Sequence, residues 1–338
     1  MSDHDVASDD STEVKPTAPN GFNICVKGIS DEVHATQFGQ RVGAFVVELS
    51  RYFDLGQLDA LTIAHDYPQA LLDLDRGYVT SHKLTPSNND AVGVGMAPAV
   101  MRDGQLKSHL VLNAAFILPI EDEEHEYFSL AFHILAHECA HVEATNRFNS
   151  AFPGILLQLP LPAHAAYRYD VILACWDEYI ACRLCAGFGR DPTDDYESTF
   201  LERLIDVRQQ ANQCIIDYRI HRNIDQVLGD MYRIYGGLMK ITSYHLGNLS
   251  GRDLSPADMQ RTADALYGHW YAGFFDRLRT ALEDIADQYG AWTDFAAFDV
   301  IGDLVDELIA DGGVYITPNS DGSMHVNIPY TPETMPLE

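Results

Sequence analysis

His137, Glu138 and His141 stand in the run Leu135-Ala136-His137-Glu138-Cys139-Ala140-His141-Val142, two imidazoles four residues apart with a carboxylate next to the first. On an α-helix, positions i and i+4 lie about 40° apart around the axis, so both ring nitrogens can reach one ion at roughly 2.0–2.1 Å. The glutamate then lies beside the ion, placed to take a proton from a bound water. This spacing is the H-E-x-x-H signature of helix-borne zinc sites. It makes His137 and His141 candidate ligands of Zn²⁺ and Glu138 the candidate general base.

A third ligand must come from another element. At 100° per residue, Phe128, Phe132, Leu135, Cys139 and Val142 fall within about 40° of one line, a stripe suited to packing on a sheet. His137 and His141 fall on the opposite side, flanked by Leu130, Ile134 and Ala144, and so face a second layer. The helix expected at 165–187 has its own stripe, Val171, Cys175, Cys182 and Cys185, with Glu178 in its middle. An ionised carboxylate on an apolar stripe is costly unless a charge or a metal compensates it. Glu178 is therefore the preferred third ligand, although pairing with an arginine or a place at a helix end would also account for it. Asp177, about 100° off the stripe, reads as solvated. His164 is an alternative ligand from a Pro-rich connector, and His133 reads as a support for His137 or a core histidine. His221, His245 and His269 read as ordinary core or surface histidines. A tyrosine such as Tyr167 or Tyr244 could assist an oxyanion.

The elements that hold these residues follow from pattern. Residues 1–20 are polar and acidic and read as a disordered tail. Strands are expected at 22–27, 60–65, 91–96 and 108–117, with an amphipathic helix at 31–53. The acidic run 121–126 suits a helix N-terminus and would open the motif helix, which runs to about 148. A Pro/Gly-rich connector follows at 151–163. Helices are expected at 165–187, 195–230, 231–248, 256–288 and 294–311, and a hairpin at 314–317 and 324–328 around the turn 319–322. The expected fold class is α+β. It comprises an α/β unit with a mixed sheet and the motif helix (21–150), a mainly helical domain supplying the third ligand (151–312), and a C-terminal hairpin and tail (313–338).

Composition narrows the function. The 338-residue chain carries a net charge of −28, with 50 acidic against 22 basic residues. That field repels phosphate backbones, so nucleic acid is not an expected partner. No stretch approaches the length of a membrane span and no apolar leader is visible, so neither a membrane nor secretion is expected. The six cysteines form no disulfide framework, and reduced thiols in a cytoplasmic protein are expected. Cys182 and Cys185 form a C-x-x-C, but mid-helix and without a preceding strand, which argues against a redox motif.

Strands, an edge-strand candidate at 108–117, an H-E-x-x-H helix and a glutamate on the next helix together resemble the gluzincin branch of the zincin metallopeptidases. Glu178-Tyr179-Ile180-Ala181 resembles the E-x-x-A segment that carries the third ligand in several gluzincins. The ImmA/IrrE-type cytoplasmic metallopeptidases are the most similar in setting. The metzincin pattern fails, because Ala144 and Arg147 stand where it requires glycine and histidine. Glu143 is charged where zincins usually continue apolar, and Cys182 stands where many gluzincins place an aspartate that orients a histidine. The resemblance covers about residues 22–187. It implies a zinc-dependent peptidase with a zincin-like sheet, acting on a protein or peptide substrate, in which Glu138 relays a proton from water to the leaving amine. A zincin-fold regulatory or interaction protein that binds metal with little or no general proteolysis is the alternative, and a helical scaffold with an accidental motif is a third reading.

Overall fold

The computed structural model describes residues 14–80, 82–86, 93–157, 161–319 and 323–335. In chain order, β1 (Asn23–Lys27) leads to α1 (Glu32–Leu49), β2 (Leu58–Ala64), α2 (Tyr67–Leu72), β3 (Gly95–Met96), β4 (Ala99–Arg102) and β5 (Gln105–Asn113). The single turn α3 (Ala114–Ile117) precedes the motif helix α4 (Phe128–Ala151). Then come α5 (Ala163–Cys185), α6 (Thr193–His221), α7 (Ile224–Gly251), α8 (Gln260–Leu266), α9 (Ala272–Ala286) and α10 (Asp299–Asp311). The hairpin β6 (Tyr315–Pro318) and β7 (Met324–Asn327) follows. The architecture is α+β: a small mixed sheet near the N-terminus, a mainly helical remainder and a C-terminal antiparallel hairpin.

In the sheet, β1 and β2 run parallel, as do β2 and β5, while β3 and β4 each pair antiparallel with β5. β2 is apolar almost throughout and buried, as a strand covered on both faces must be. The strand expected at 108–117 starts earlier and ends at Asn113, whose side chain accepts a hydrogen bond from the Ala115 N–H and starts α3. This strand is interior rather than at the edge. The edge nearest α4 belongs to β3, which realises the end of the strand expected at 91–96; residues 91 and 92 lie outside the described residues. β4 is unanticipated, and its signal was the Asp103-Gly104 dipeptide. Both residues have positive φ (51° and 76°) and join β4 to β5 in a two-residue hairpin turn.

The acidic run 121–126 does not lie in the motif helix. Glu121 contacts His34 Nε2 at 2.9 Å and Glu123 contacts Arg41 at 3.0 Å, so these carboxylates tie the loop before α4 to α1. Farther along, the helix pair expected to break at 230/231 breaks at Arg222, which adopts φ 59°, and Asn223 caps α7 by accepting from the Gln226 N–H. The single helix expected at 256–288 is divided into a short 3₁₀ turn, α8 and α9, with Gly268 at φ +67° between the two α-helices. Residues 158–160 of the connector and 320–322 of the hairpin turn lie outside the described residues, as do 1–13 of the expected tail.

Two cores share α4 and α5. One gathers Phe38 and Val42 of α1, Leu61 and Ile63 of β2, and Leu110 and Leu112 of β5 around Leu135, Cys139 and Val142 of α4. This is the stripe read from the sequence, with Phe128 and Phe132 packed edge-on against Phe45 of α1. The other core gathers α6, α7, α9 and α10 around Val171, Cys175, Trp176 and Ile180 of α5, together with Ala144 and Phe148 of α4. Ala181 and Cys185 return α5 to the first core. α4 and α5 therefore form the seam between the sheet and the helical layer.

Candidate metal centre

The two imidazoles project from α4 across this seam and meet Glu178 on α5. His137 Nε2 and His141 Nε2 lie 3.0 Å apart, and each is 3.5 Å from Glu178 Oε2. Among the described residues these three form a group able to hold a metal ion. Four-coordinate ligands at roughly 2.0–2.1 Å from an ion are separated from one another by about 3.3–3.4 Å. The triangle observed has that size. Glu178 Oε2 has no hydrogen-bond partner and is shut off from solvent, although its lone pairs face two ring nitrogens. Two neutral imidazoles and one carboxylate are a donor set suited to Zn²⁺.

The outward nitrogens are also provided for. His141 Nδ1 lies 3.0 Å from Asp177 Oδ2, although the oblique approach leaves it without a well-formed hydrogen bond. His137 Nδ1 faces the sulfurs of Cys185 and Cys182 at 3.7 and 3.9 Å. An acceptor at Nδ1 holds the proton there and leaves Nε2 as a lone pair toward the centre. Asp177, read as solvated, is about half exposed yet turns its carboxylate onto His141. That contact places a carboxylate behind one of the two imidazoles. Cys182 and Cys185 are both buried and form no disulfide with each other, and burial raises both thiols well above their ordinary pKa. They wall in His137 and make long sulfur contacts to its Nδ1.

Residues from α6 and α7 complete the site. Lys240 Nζ lies 3.0 Å from Glu178 Oε1, and the Tyr244 ring stacks on His137 with centroids 6.0 Å apart. α7 comes this close because it has no side chain at Gly247, where a Cβ would stand 2.2 Å from the Tyr179 carbonyl oxygen of α5. Together with Tyr196 of α6 and the segment 93–97 at β3, these groups enclose a cavity of about 330 Å³.

Glu138 lies in the wall of this cavity beneath β3. At Gly95 a Cβ would come 2.7 Å from its carboxylate, so any side chain there would have to displace Glu138. Burial raises the proton affinity of Glu138, the histidines His141 and His137 oppose that rise, and the net shift is upward. Glu178 is moved the other way. Burial would raise it, but Lys240 and the two histidines hold it well below the carboxylate range. Two carboxylates in one cavity thus differ in proton affinity, one suited to carrying a proton and one to remaining an anionic ligand. His141 is held well above its ordinary pKa: burial lowers it, and Asp177 and Glu178 more than offset that.

The remaining candidates separate clearly. His133 lines the cavity but is not in the ligand triangle. Its Nδ1 donates to the Phe188 carbonyl at 3.0 Å, and burial lowers its pKa to about 4. His164 is drawn instead to Asp306 at 3.3 Å, and the Tyr167 hydroxyl contacts the Asp225 carbonyl; neither lines the cavity. His221 Nδ1 accepts from the Asn223 N–H, His269 Nδ1 from the Tyr271 N–H, and His245 is buried against Thr262. Of the two tyrosines named, Tyr244 is at the site. Lys240 was missed. Its signal was a lysine set between apolar residues on the buried face of a helix, in a chain with five lysines in all.

Compared with models of known families, with characterised proteins and with solved structures, the chain matches none. Among the described residues no helix is long and apolar enough to cross a membrane.

Proposed function

We propose that this protein is a zinc-dependent hydrolase of peptide bonds, resembling the gluzincins in its chemistry. The observation that carries the reading is the triangle of His137, His141 and Glu178 donor atoms, with separations of 3.0, 3.5 and 3.5 Å, beside a buried glutamate in the wall of the same cavity. Zinc held there acts as a Lewis acid on water and on a carbonyl oxygen. Glu138 takes the proton of the attacking water and returns it to the leaving amine, a task served by its raised proton affinity. Tyr244 lines the cavity with its hydroxyl drawn to Glu178, and released from that carboxylate it would be a donor for a developing oxyanion. β3 ends the sheet path and lines the cavity, so an extended peptide laid along it would pass the catalytic groups. The six free cysteines fit a reducing, cytoplasmic setting.

The test joins metal analysis to a peptide-library digest. The expected outcome is close to one zinc per chain in the purified protein, loss of that zinc in His137→Ala, and cleavage of library peptides. Glu138→Gln keeps the zinc and loses turnover by about 10²–10⁴-fold, the usual contribution of a general base. Full activity in that variant refutes the assignment.

One observation favours a second reading, a metal-binding regulatory protein with little general proteolysis. The main chain at Gly95 lies against Glu138, and Glu138 Oε2 is shut off from solvent. Stoichiometric zinc with no cleavage of any library peptide would select it.

A further inference from the structure

Glu178 divides its two oxygens between different partners. Oε2 faces the two imidazole nitrogens at 3.5 Å, whereas Oε1 lies 3.0 Å from the ammonium of Lys240. Lys240 is itself constrained. Its Nζ sits 5.7 Å from the centre of the Tyr244 ring, and its side chain is about one-third exposed. It reaches the site from α7, an element that supplies no ligand, and it plays no part in the chemistry assigned to Glu138 and Tyr244.

We infer that Lys240 is a positioning residue that holds Glu178 as a one-oxygen metal ligand and so keeps a coordination position open for water and substrate. The inference rests on the metal-site reading above. A carboxylate beside a divalent ion can bind through one oxygen or through both. A charge-assisted hydrogen bond to Oε1 removes that oxygen from competition. With both oxygens engaged, Glu178 would fill a fourth position and leave water only a crowded fifth one. The same ammonium compensates the buried carboxylate before any ion arrives, which explains how an anionic ligand is tolerated between two apolar layers.

Cobalt(II) substitution reads coordination number directly, because four-coordinate cobalt absorbs visible light more strongly than five-coordinate cobalt. Wild-type protein, stripped and reloaded with Co²⁺, is expected to give the intense four-coordinate spectrum. Lys240→Met should bind Co²⁺ no less tightly, since a competing cation has gone, yet give a weaker, five-coordinate spectrum and lower peptidase turnover. Lys240→Gln keeps an N–H donor toward Oε1 without the charge, and is expected to retain most of the wild-type spectrum. It also serves should the methionine variant fail to fold. A wild-type spectrum in Lys240→Met overturns the inference while leaving the metal site standing. Loss of cobalt binding in both variants overturns it as well, by making Lys240 merely structural. Failure of the wild-type chain to bind Co²⁺ at all removes the metal-site reading itself, and the inference with it.

Discussion

At the scale of single residues, the centre is defined less by its ligands than by what stands behind them. Asp177 approaches His141 Nδ1 at 3.0 Å, and the sulfurs of Cys182 and Cys185 approach His137 Nδ1. A carboxylate behind a ligating imidazole fixes its tautomer and raises its basicity, and losing such a partner usually costs about 10–100-fold in metal affinity. Asp177→Ala is therefore expected to weaken zinc binding by at least about tenfold, as read by competition with a chelator of known affinity. Unchanged affinity would show that Asp177 is a bystander. The group able to hold an ion was legible in the sequence because each reading needed only one helix: i, i+4 spacing for the histidines, and a lone carboxylate on an apolar stripe for Glu178. The solvated reading of Asp177 is only part of its setting, because an angle on α5 says which way a residue leaves the helix but not that α4 lies within its reach. Lys240 was illegible for a stronger reason. Nothing local to α7 records that α5 packs against it at Gly247 and brings Glu178 to the ammonium.

At the scale of elements, sequence pattern located the helices well and their ends poorly. The break after α6 is set by Arg222 in the left-handed region and by the cap of Asn223 on the Gln226 N–H. Both are single-residue events inside a continuous amphipathic pattern. β4 was obscured because a four-residue strand has too little periodicity to read, and β3 was read only as the end of a longer strand; both pair with β5. α6, α7 and α8 are joined by a buried relay. Thr262 Oγ1 donates to Glu197 at 2.9 Å, so it must accept from His245 Nε2 at 3.1 Å, leaving His245 Nδ1 without a partner. Burial lowers the pKa of this imidazole from 6.5 to about 4, with Glu197 opposing the shift. The sign follows from proton counting. Between pH 6.5 and 4 the unfolded chain binds a proton at His245 that the folded chain refuses, so stability is complete above the unfolded value and is lost as pH falls. The full loss is roughly 3 kcal/mol for a shift of this size. His245→Gln is expected to flatten the dependence of denaturation midpoint on pH across that window, whatever it does to stability at neutral pH. An equally steep acid limb in the variant would assign the effect elsewhere, His133 being the nearest analogue.

At the scale of the whole molecule, the group able to hold an ion lies between two cores. α4 gives Leu135, Cys139 and Val142 to the sheet core but Ala144 and Phe148 to the helical one, and α5 is divided in the same way. The ligands come from both helices at the seam, so an ion bound by His137, His141 and Glu178 joins the layers directly and binds only when both are assembled. Binding to the folded chain alone stabilises it by about 2.7 kcal/mol when free metal is a hundredfold above Kd. With an unfolding entropy of about 2.1 cal/mol/K per residue over 338 residues, this raises Tm by about 4 °C. Calorimetry of the chelator-treated protein, repeated with added zinc, is expected to show that rise as a single shifted transition. His137→Ala should abolish the shift, whereas Glu138→Gln should keep all of it, because Glu138 lines the cavity without belonging to the ligand triangle. A shift that survives in His137→Ala would place the bound zinc elsewhere. A shift lost in Glu138→Gln would make that glutamate a ligand and remove it as the base.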